Sequence, residues 1–206
     1  MSWMMPGGTV IPDGAEVTCW DLDSTLRSTM HRRHLIPEIR AGRATWDDYS
    51  LLCADDEPIE GAVEMMRALD ARIWNIAVSG CADSALALTR EWARRHDVPL
   101  DDYLLRPAGN RIPNGEWKVA AIRRLQDAGL TVRLFVEDWG PAARYIREQT
   151  GVPVLGVNPF DSETCLVGRA QLAMELEQEI DGMCFEIGGG QEVADRIYAR
   201  LSGEHA

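Results

Sequence analysis

No apolar run in the sequence approaches the roughly 18 residues that cross a bilayer, so no membrane segment is expected. The opening stretch, MSWMMPGGTVIPDG, lacks a basic segment followed by an apolar one, so secretion is not expected either. Cysteine is sparse: Cys19, Cys53, Cys81, Cys165 and Cys184 form an odd set without CxxC spacing or a nearby histidine pair. That pattern argues against a disulfide framework and a zinc site and fits a reducing cytoplasm. Positive charge is short as well, with 21 Lys and Arg against 33 Asp and Glu, a net charge of -12. Broad, nonspecific binding to nucleic acid requires Lys and Arg to displace counterions, and this balance works against it. Long polar or repetitive tracts are missing, which leaves an ordered globular protein.

What is present is an alternation of buried strands and helices. EVTCWDL (Glu16 to Leu22), RIWNIAV (Arg72 to Val78), TVRLFVE (Thr131 to Glu137) and VPVLGV (Val152 to Val157) read as short strands, the first ending in a carboxylate-rich loop. Helical periodicity covers Gly61 to Asp70, Asp83 to His96, Glu116 to Ala128 and Pro141 to Gln149, the last with its proline in the first turn. The 206 residues therefore predict a single α/β domain, a Rossmann-like doubly wound parallel sheet. The interval from Asp21 to Ser79 is about twice the roughly 30 residues of a β-α-β unit, so an insertion is implied. It falls at about residues 26–58 and reads as a small helical cap over the site. Helical patterns at Arg169 to Ile180 and Gln191 to Leu201, separated by Gly188-Gly189-Gly190, predict a C-terminal helical extension over about 160–206 with no readable motif.

In open α/β sheets ligands bind beyond the carboxyl ends of the strands, and the polar signatures cluster there. Asp21-Leu22-Asp23-Ser24-Thr25 places two carboxylates on a turn leaving a buried strand. Asp21 can take a phosphoryl group as an aspartyl-phosphate, and Asp23 can serve as acid and then base. An anionic nucleophile meeting an anionic phosphate is repelled by roughly 4 kcal/mol per charge pair at about 4 Å and an effective dielectric of 20. A cation must offset this. Magnesium favours oxygen ligands, which predicts a site from Asp21, Asp138 and the backbone carbonyl of Asp23, with Glu137 behind them. Lys118 supplies a fixed positive charge, while Ser79, the amides near Gly80 and the Thr25 hydroxyl donate to the phosphate.

Each feature also has a plainer reading. Ser79-Gly80 could be a strand-ending turn, and Glu137-Asp138 a charge pair at the start of the following helix. Lys118 alone would be a solvated helix lysine. The stretch from Arg27 to Arg43 carries Arg27, His31, Arg32, Arg33, His34, Arg40 and Arg43 against Glu38, a local basic patch that is either a solvated cap face or a phosphate clamp. Trp46 and Trp139 lie near the expected site, where base stacking competes with core packing.

The order strand-DxDxT, strand-Ser, Lys, strand-acidic pair resembles the four motifs of the haloacid dehalogenase superfamily over residues 16 to about 160. The resemblance implies the nucleophile role for Asp21, acid/base for Asp23, phosphate binding for Ser79 and Lys118, and magnesium binding at the last acidic group. An acid at Asp23 favours a phosphatase over a dehalogenase. HRRH (His31 to His34), TREW (Thr89 to Trp92), and LLRPAGNRIPNGEWK (Leu104 to Lys118) resemble the 3'-phosphatase domain of phage polynucleotide kinases. That likeness implies hydrolysis of the 3'-phosphate of a polynucleotide end, in a host cytoplasm if the chain is viral. The pattern departs at Cys81, Asn110 and Trp139, where that group carries Arg, Asp and Arg. A mononucleotidase, a small-molecule phosphatase, a phosphotransferase and a noncatalytic nucleotide-binding protein are the alternatives.

Overall fold

The apolar residues of the strands alternate between two layers, and that alternation fixes the architecture. In β3 (Glu16–Trp20), Val17 and Cys19 enter one buried cluster and Trp20 enters the other. The computed structural model describes residues 2–6, 8–69 and 71–157. The expected helices beyond Pro159, with Cys165 and Cys184, lie outside the described residues.

Before β3 comes an antiparallel hairpin, β1 (Ser2–Met4) and β2 (Val10–Pro12). After it come β4 (Arg27–Ser28), α1 (Leu35–Arg40), α2 (Trp46–Leu51) and β5 (Glu57–Pro58). The remaining order is α3 (Glu60–Arg67), β6 (Trp74–Ala82), α4 (Leu86–Arg95), β7 (Asp102–Arg106) and α5 (Asn114–Asp127). Then come β8 (Thr131–Glu137), α6 (Gly140–Thr150) and β9 (Val154–Gly156).

Five strands form one parallel sheet in the order β7-β6-β3-β8-β9. Ile76 and Val78 of β6 and Phe135 of β8 join Val17 on one face, under Val119, Ile122 and Leu125 of α5 and Ile146 of α6. Ala77 and Val136 join Trp20 on the other, under Val63 and Met66 of α3 and Trp92 of α4. Covered on both faces, the strands read as continuous apolar runs, which is why they were visible in the sequence. This is the doubly wound α/β sheet that the alternation predicted.

Connections run from β3 out through β6 to β7, then return to the other side through β8 and β9, so the winding reverses at β3. The crevice beyond the carboxyl ends of β3 and β8 is the topological switch point, where such sheets bind ligands.

Three local details differ from the expectation. The first strand ends at Trp20, not Leu22, because the Leu22 carbonyl accepts from the N–H groups of Thr25, Leu26 and Arg27 and turns the chain. The second runs on to Ala82, and its register with β7 shifts between Ser79 and Ala82. The edge strand β7 and the β1-β2 hairpin were not anticipated.

Residues 29–56 are bracketed by the antiparallel pairing of Arg27 with Pro58 and Ser28 with Glu57. Within this insertion α2 begins with a capping box: Asp48 N–H donates to Thr45 Oγ1 at 3.1 Å and Thr45 N–H to Asp48 Oδ2 at 2.8 Å. The cap fixes where Trp46 and Tyr49 leave the helix.

Candidate active site

At the end of β3 the chain must leave the sheet and turn at once. Ser24 takes a left-handed φ of 64°, and Asp21 comes to lie beside the end of β8, its N–H donating to the Val136 carbonyl at 3.0 Å. A cavity of about 990 Å³ opens there, lined by Asp21, Asp23, Ser79, Gly80, Glu137 and Asp138 among others. Carboxylate oxygens of Asp21, Glu137 and Asp138 lie within 4.8 Å of one another.

Lys118, in the second turn of α5, is fully buried against them. Its Nζ lies 3.1 Å from Asp21 Oδ1 and donates to Glu137 Oε2 at 2.6 Å. Burial works against the ammonium, but Asp21 and Glu137 outweigh it and raise its proton affinity. One cation therefore faces three carboxylates. Burial, then the charges of Asp21 and Glu137, push the Asp138 carboxyl up to about 8. Glu137 is shifted upward as well, mainly by burial. Glu137 Oε1 accepts from the Trp139 N–H at 3.2 Å, so both of its oxygens are engaged.

Asp23 belongs to a second charge cluster beneath the insertion. Arg27 Nε and Arg32 Nη2 each donate to its Oδ1 at 2.8 Å. Both guanidiniums also reach Asp56, Arg32 through Nε at 2.9 Å and Nη2 at 2.5 Å, Arg27 through Nε at 3.1 Å. Burial opposes the charge on Asp23, but the arginines win and hold its carboxyl at about 2. Asp56 is the fully buried partner of the two arginines, and its replacement should be felt in the fold. Asp56→Asn is expected to lower stability by about 2–3 kcal/mol in urea unfolding, because two buried guanidiniums then share one full carboxylate.

Three residues expected to contact the phosphate, Arg27, Thr25 and His31, are not among those that line the cavity. Arg27 is fully buried and spends its remaining donors on Thr89 Oγ1 and Cys81 Sγ, each at 3.3 Å, so it supports Asp23 and does not line the cavity. Thr25 is also fully buried, and its hydroxyl donates to Asp138 Oδ1 at 3.3 Å, orienting that carboxylate. His31 stands outside the cavity wall, its Nε2 3.2 Å from the Leu52 carbonyl and its Nδ1 3.4 Å from Asp56.

Ser79 and Gly80 line the cavity, from within β6 and not from a turn after it. The Ser79 hydroxyl accepts from the Cys81 N–H at 3.3 Å, which leaves its own hydrogen for a ligand. A Cβ at Gly80 would stand 2.3 Å from Asn114 Oδ1, so a larger residue here would have to turn the Asn114 side chain away. Asn114 itself was missed, as were Arg106 and Arg111 on the cavity wall. All three sit in the LLRPAGNRIPNGEWK stretch, in which only Asn110 and Lys118 stood out in the sequence. The Asn114 Oδ1 is buried without a donor against it.

Sheet order, switch-point crevice and acidic cluster define an α/β fold with an acid-lined cavity at the end of its first sheet strand. No family model matches the chain, and no curated protein matches it in sequence. Solved structures do. The Pnkp1/Rnl/Hen1 complex matches at a TM-score of 0.58 and 17% identity over 72% of this chain and 47% of that one. A second structure of that RNA repair complex matches at 0.55 and 16%, over 70% and 42%. The L-2-haloacid dehalogenase of Xanthobacter autotrophicus, with chloropropionic acid covalently bound, matches at 0.51 and 13%, over 72% and 80%. The fold is thus the haloacid dehalogenase fold, and the chain spans less than half the length of the RNA repair chains it matches.

Proposed function

We propose that this chain is a magnesium-dependent phosphomonoester hydrolase that works through an aspartyl-phosphate on Asp21. One observation carries the reading: a buried carboxylate at the end of β3, held 3.1 Å from Lys118 Nζ, within 4.8 Å of Glu137 and Asp138. The substrate is the phosphate of a nucleotide or a nucleic-acid end. Support for that class comes from a neighbour in fold that belongs to an RNA repair complex. The insertion at about 26–58 acts as the cap, since Tyr49, Trp46 and Arg33 of this segment line the cavity above Asp21.

The residues present fit a hard divalent cation. Three clustered carboxylates face one ammonium, and burial together with the charges of Asp21 and Glu137 raises the proton affinity of Asp138, a surplus of negative charge that a cation would offset. Asp21 and Asp138 would hold the ion, with the Asp23 carbonyl as the third protein ligand, while Glu137 holds Lys118. When bound, it would offset the repulsion between Asp21 and an anionic phosphate.

Lys118 anchors one oxygen of Asp21, and the other attacks phosphorus as the bond to the leaving oxygen breaks. The leaving oxygen collects a proton from Asp23. In the resting site Asp23 is charged; a phosphate dianion beside it opposes the arginines and favours its protonated form, so substrate arrival loads the acid. Asp23, now a carboxylate, then takes a proton from the water that cleaves the aspartyl-phosphate, releasing phosphate and restoring Asp21.

The test is phosphate release from 3'-phosphorylated oligonucleotides, 3'- and 5'-mononucleotides and sugar phosphates, with magnesium and with a chelator. Release that stops with the chelator and favours nucleic-acid ends is expected; equal rates on every substrate would sink the nucleic-acid assignment. The ion-paired Asp23 favours one rival, a protein that captures a nucleotide without turnover. Any turnover that Asp21→Asn abolishes removes it.

Magnesium affinity should also depend on pH. Asp138 holds a proton below about 8, so the ion must displace it there, and affinity rises as pH approaches that value and levels off above it. Calorimetric titration at pH 6.5 and pH 8.5 should show a gain of roughly ten-fold or more. A flat profile would contradict the protonated state of the cluster.

A further inference from the structure

Trp46 is half exposed at the first position of α2 and lines the same cavity as Asp21 and Asp23. Its ring meets Tyr49 edge to face, with centroids 5.5 Å apart and planes at 78°. The Tyr49 ring in turn lies under the Arg32 guanidinium, 4.3 Å from the centroid, and Arg32 Nη2 donates to Asp23 at 2.8 Å. A continuous column, Asp23-Arg32-Tyr49-Trp46, therefore leads from the acid to the open part of the cavity. Its middle is held in place: Tyr49 is buried and its carbonyl accepts from Arg32 Nη1 at 3.0 Å, and the helix carrying Trp46 starts at a capping box.

The direction of this column has a chemical meaning. The proton for the leaving oxygen comes from Asp23, so the leaving group departs on the Asp23 side of phosphorus. What is attached to that oxygen extends along Tyr49 toward Trp46. Isoleucines from the insertion and the loop before α5, Ile36, Ile39 and Ile112, line the cavity, as do Arg106 and Arg111. A volume of about 990 Å³ is at the upper end of what drug-sized ligands fill, far more than a phosphate group needs. An aromatic face with apolar neighbours and guanidiniums nearby is the chemistry that receives a flat heteroaromatic base joined to an anionic backbone.

We infer that Trp46 is the specificity residue for the leaving group, the platform on which the base of the nucleoside carrying the scissile phosphate stacks. This rests on the phosphatase reading and adds to it the side of the cavity and the residue that select the substrate. Trp139 is similarly exposed and lines the same cavity, but it follows Asp138 and has no place in the column that starts at Asp23. The base does not use it.

The test compares a 3'-phosphorylated dinucleotide with the same molecule lacking its terminal base. Wild type should prefer the base-bearing form by roughly ten-fold in kcat/KM, the size of one base stacked on an aromatic ring. Trp46→Ala should bring that preference to within about two-fold by raising KM on the base-bearing form alone, Trp46→Phe should keep most of it, and Trp139→Ala should leave it in place. A Trp46→Ala loss that is equal on both substrates would show a structural prop and overturn the assignment, as would a preference that vanishes with Trp139→Ala instead. Binding gives a readout independent of turnover: in Asp21→Asn protein the base-bearing dinucleotide should quench tryptophan fluorescence, and added Trp46→Phe should remove that quenching. Quenching without turnover by the wild type would overturn the phosphatase reading and leave the Trp46 platform standing; quenching that survives Trp46→Phe would overturn the platform.

Discussion

Lys118→Met is expected to destabilise the metal-free protein by about 3–5 kcal/mol, the usual effect of removing one partner from a buried ion pair. Methionine fills a comparable volume without the charge, so the loss is electrostatic and not a cavity effect. Lys118 is fully buried between Asp21 at 3.1 Å and Glu137 at 2.6 Å, and Asp138 completes the acidic group around it. Without the ammonium, buried carboxylates must take up protons or repel one another. Urea unfolding of wild type and variant in the presence of chelator measures the difference. Saturating magnesium should recover part of it, because a bound cation supplies the missing positive charge. Phosphate release should fall on the order of 10²–10³-fold, since the variant also lacks a fixed charge beside the attacking oxygen. A variant as stable as wild type without metal would contradict the buried charge balance described above.

Burial and topology decided which features were legible in the sequence. Glu16 to Trp20 and Thr131 to Glu137 stood out because both faces of the sheet are covered and the strands are apolar almost throughout. Strand β7 did not, because it opens at Asp102 behind a second aspartate and closes on Arg106, which leaves only Tyr103 to Leu105 as an apolar run. Asp21, Lys118, Glu137 and Asp138 were found because strand ends and a helix start bring them to the switch point whatever the loops do.

Arg27 and Arg32 were misjudged for a different reason. A run of basic residues reads as a surface, and only the pairing of β4 with β5 carries Asp56 back beneath it. Once Asp56 is there, two arginines can be fully buried and their charge spent inside the protein. The charge that the sequence displayed as a patch thus became the support of Asp23. Thr25 is a smaller case of the same kind: its hydroxyl orients Asp138 because the turn after β3 faces the end of β8. The column from Asp23 to Trp46 was invisible in the sequence because its members come from a turn, a short helical turn and α2, and their order in space differs from their order in the chain.

Asp21→Asn carries the largest expected effect on activity. Asparagine keeps the shape of the side chain and still offers an oxygen to Lys118 Nζ, so the fold should persist. It cannot form an aspartyl-phosphate, and every other contribution acts through that step. Magnesium-dependent phosphate release from a 3'-phosphorylated oligonucleotide, measured on folded Asp21→Asn protein beside wild type, is the direct measurement. A loss on the order of 10⁴-fold or more is the predicted result. Release within about ten-fold of wild type, from a variant free of the original aspartate, would contradict covalent catalysis at Asp21.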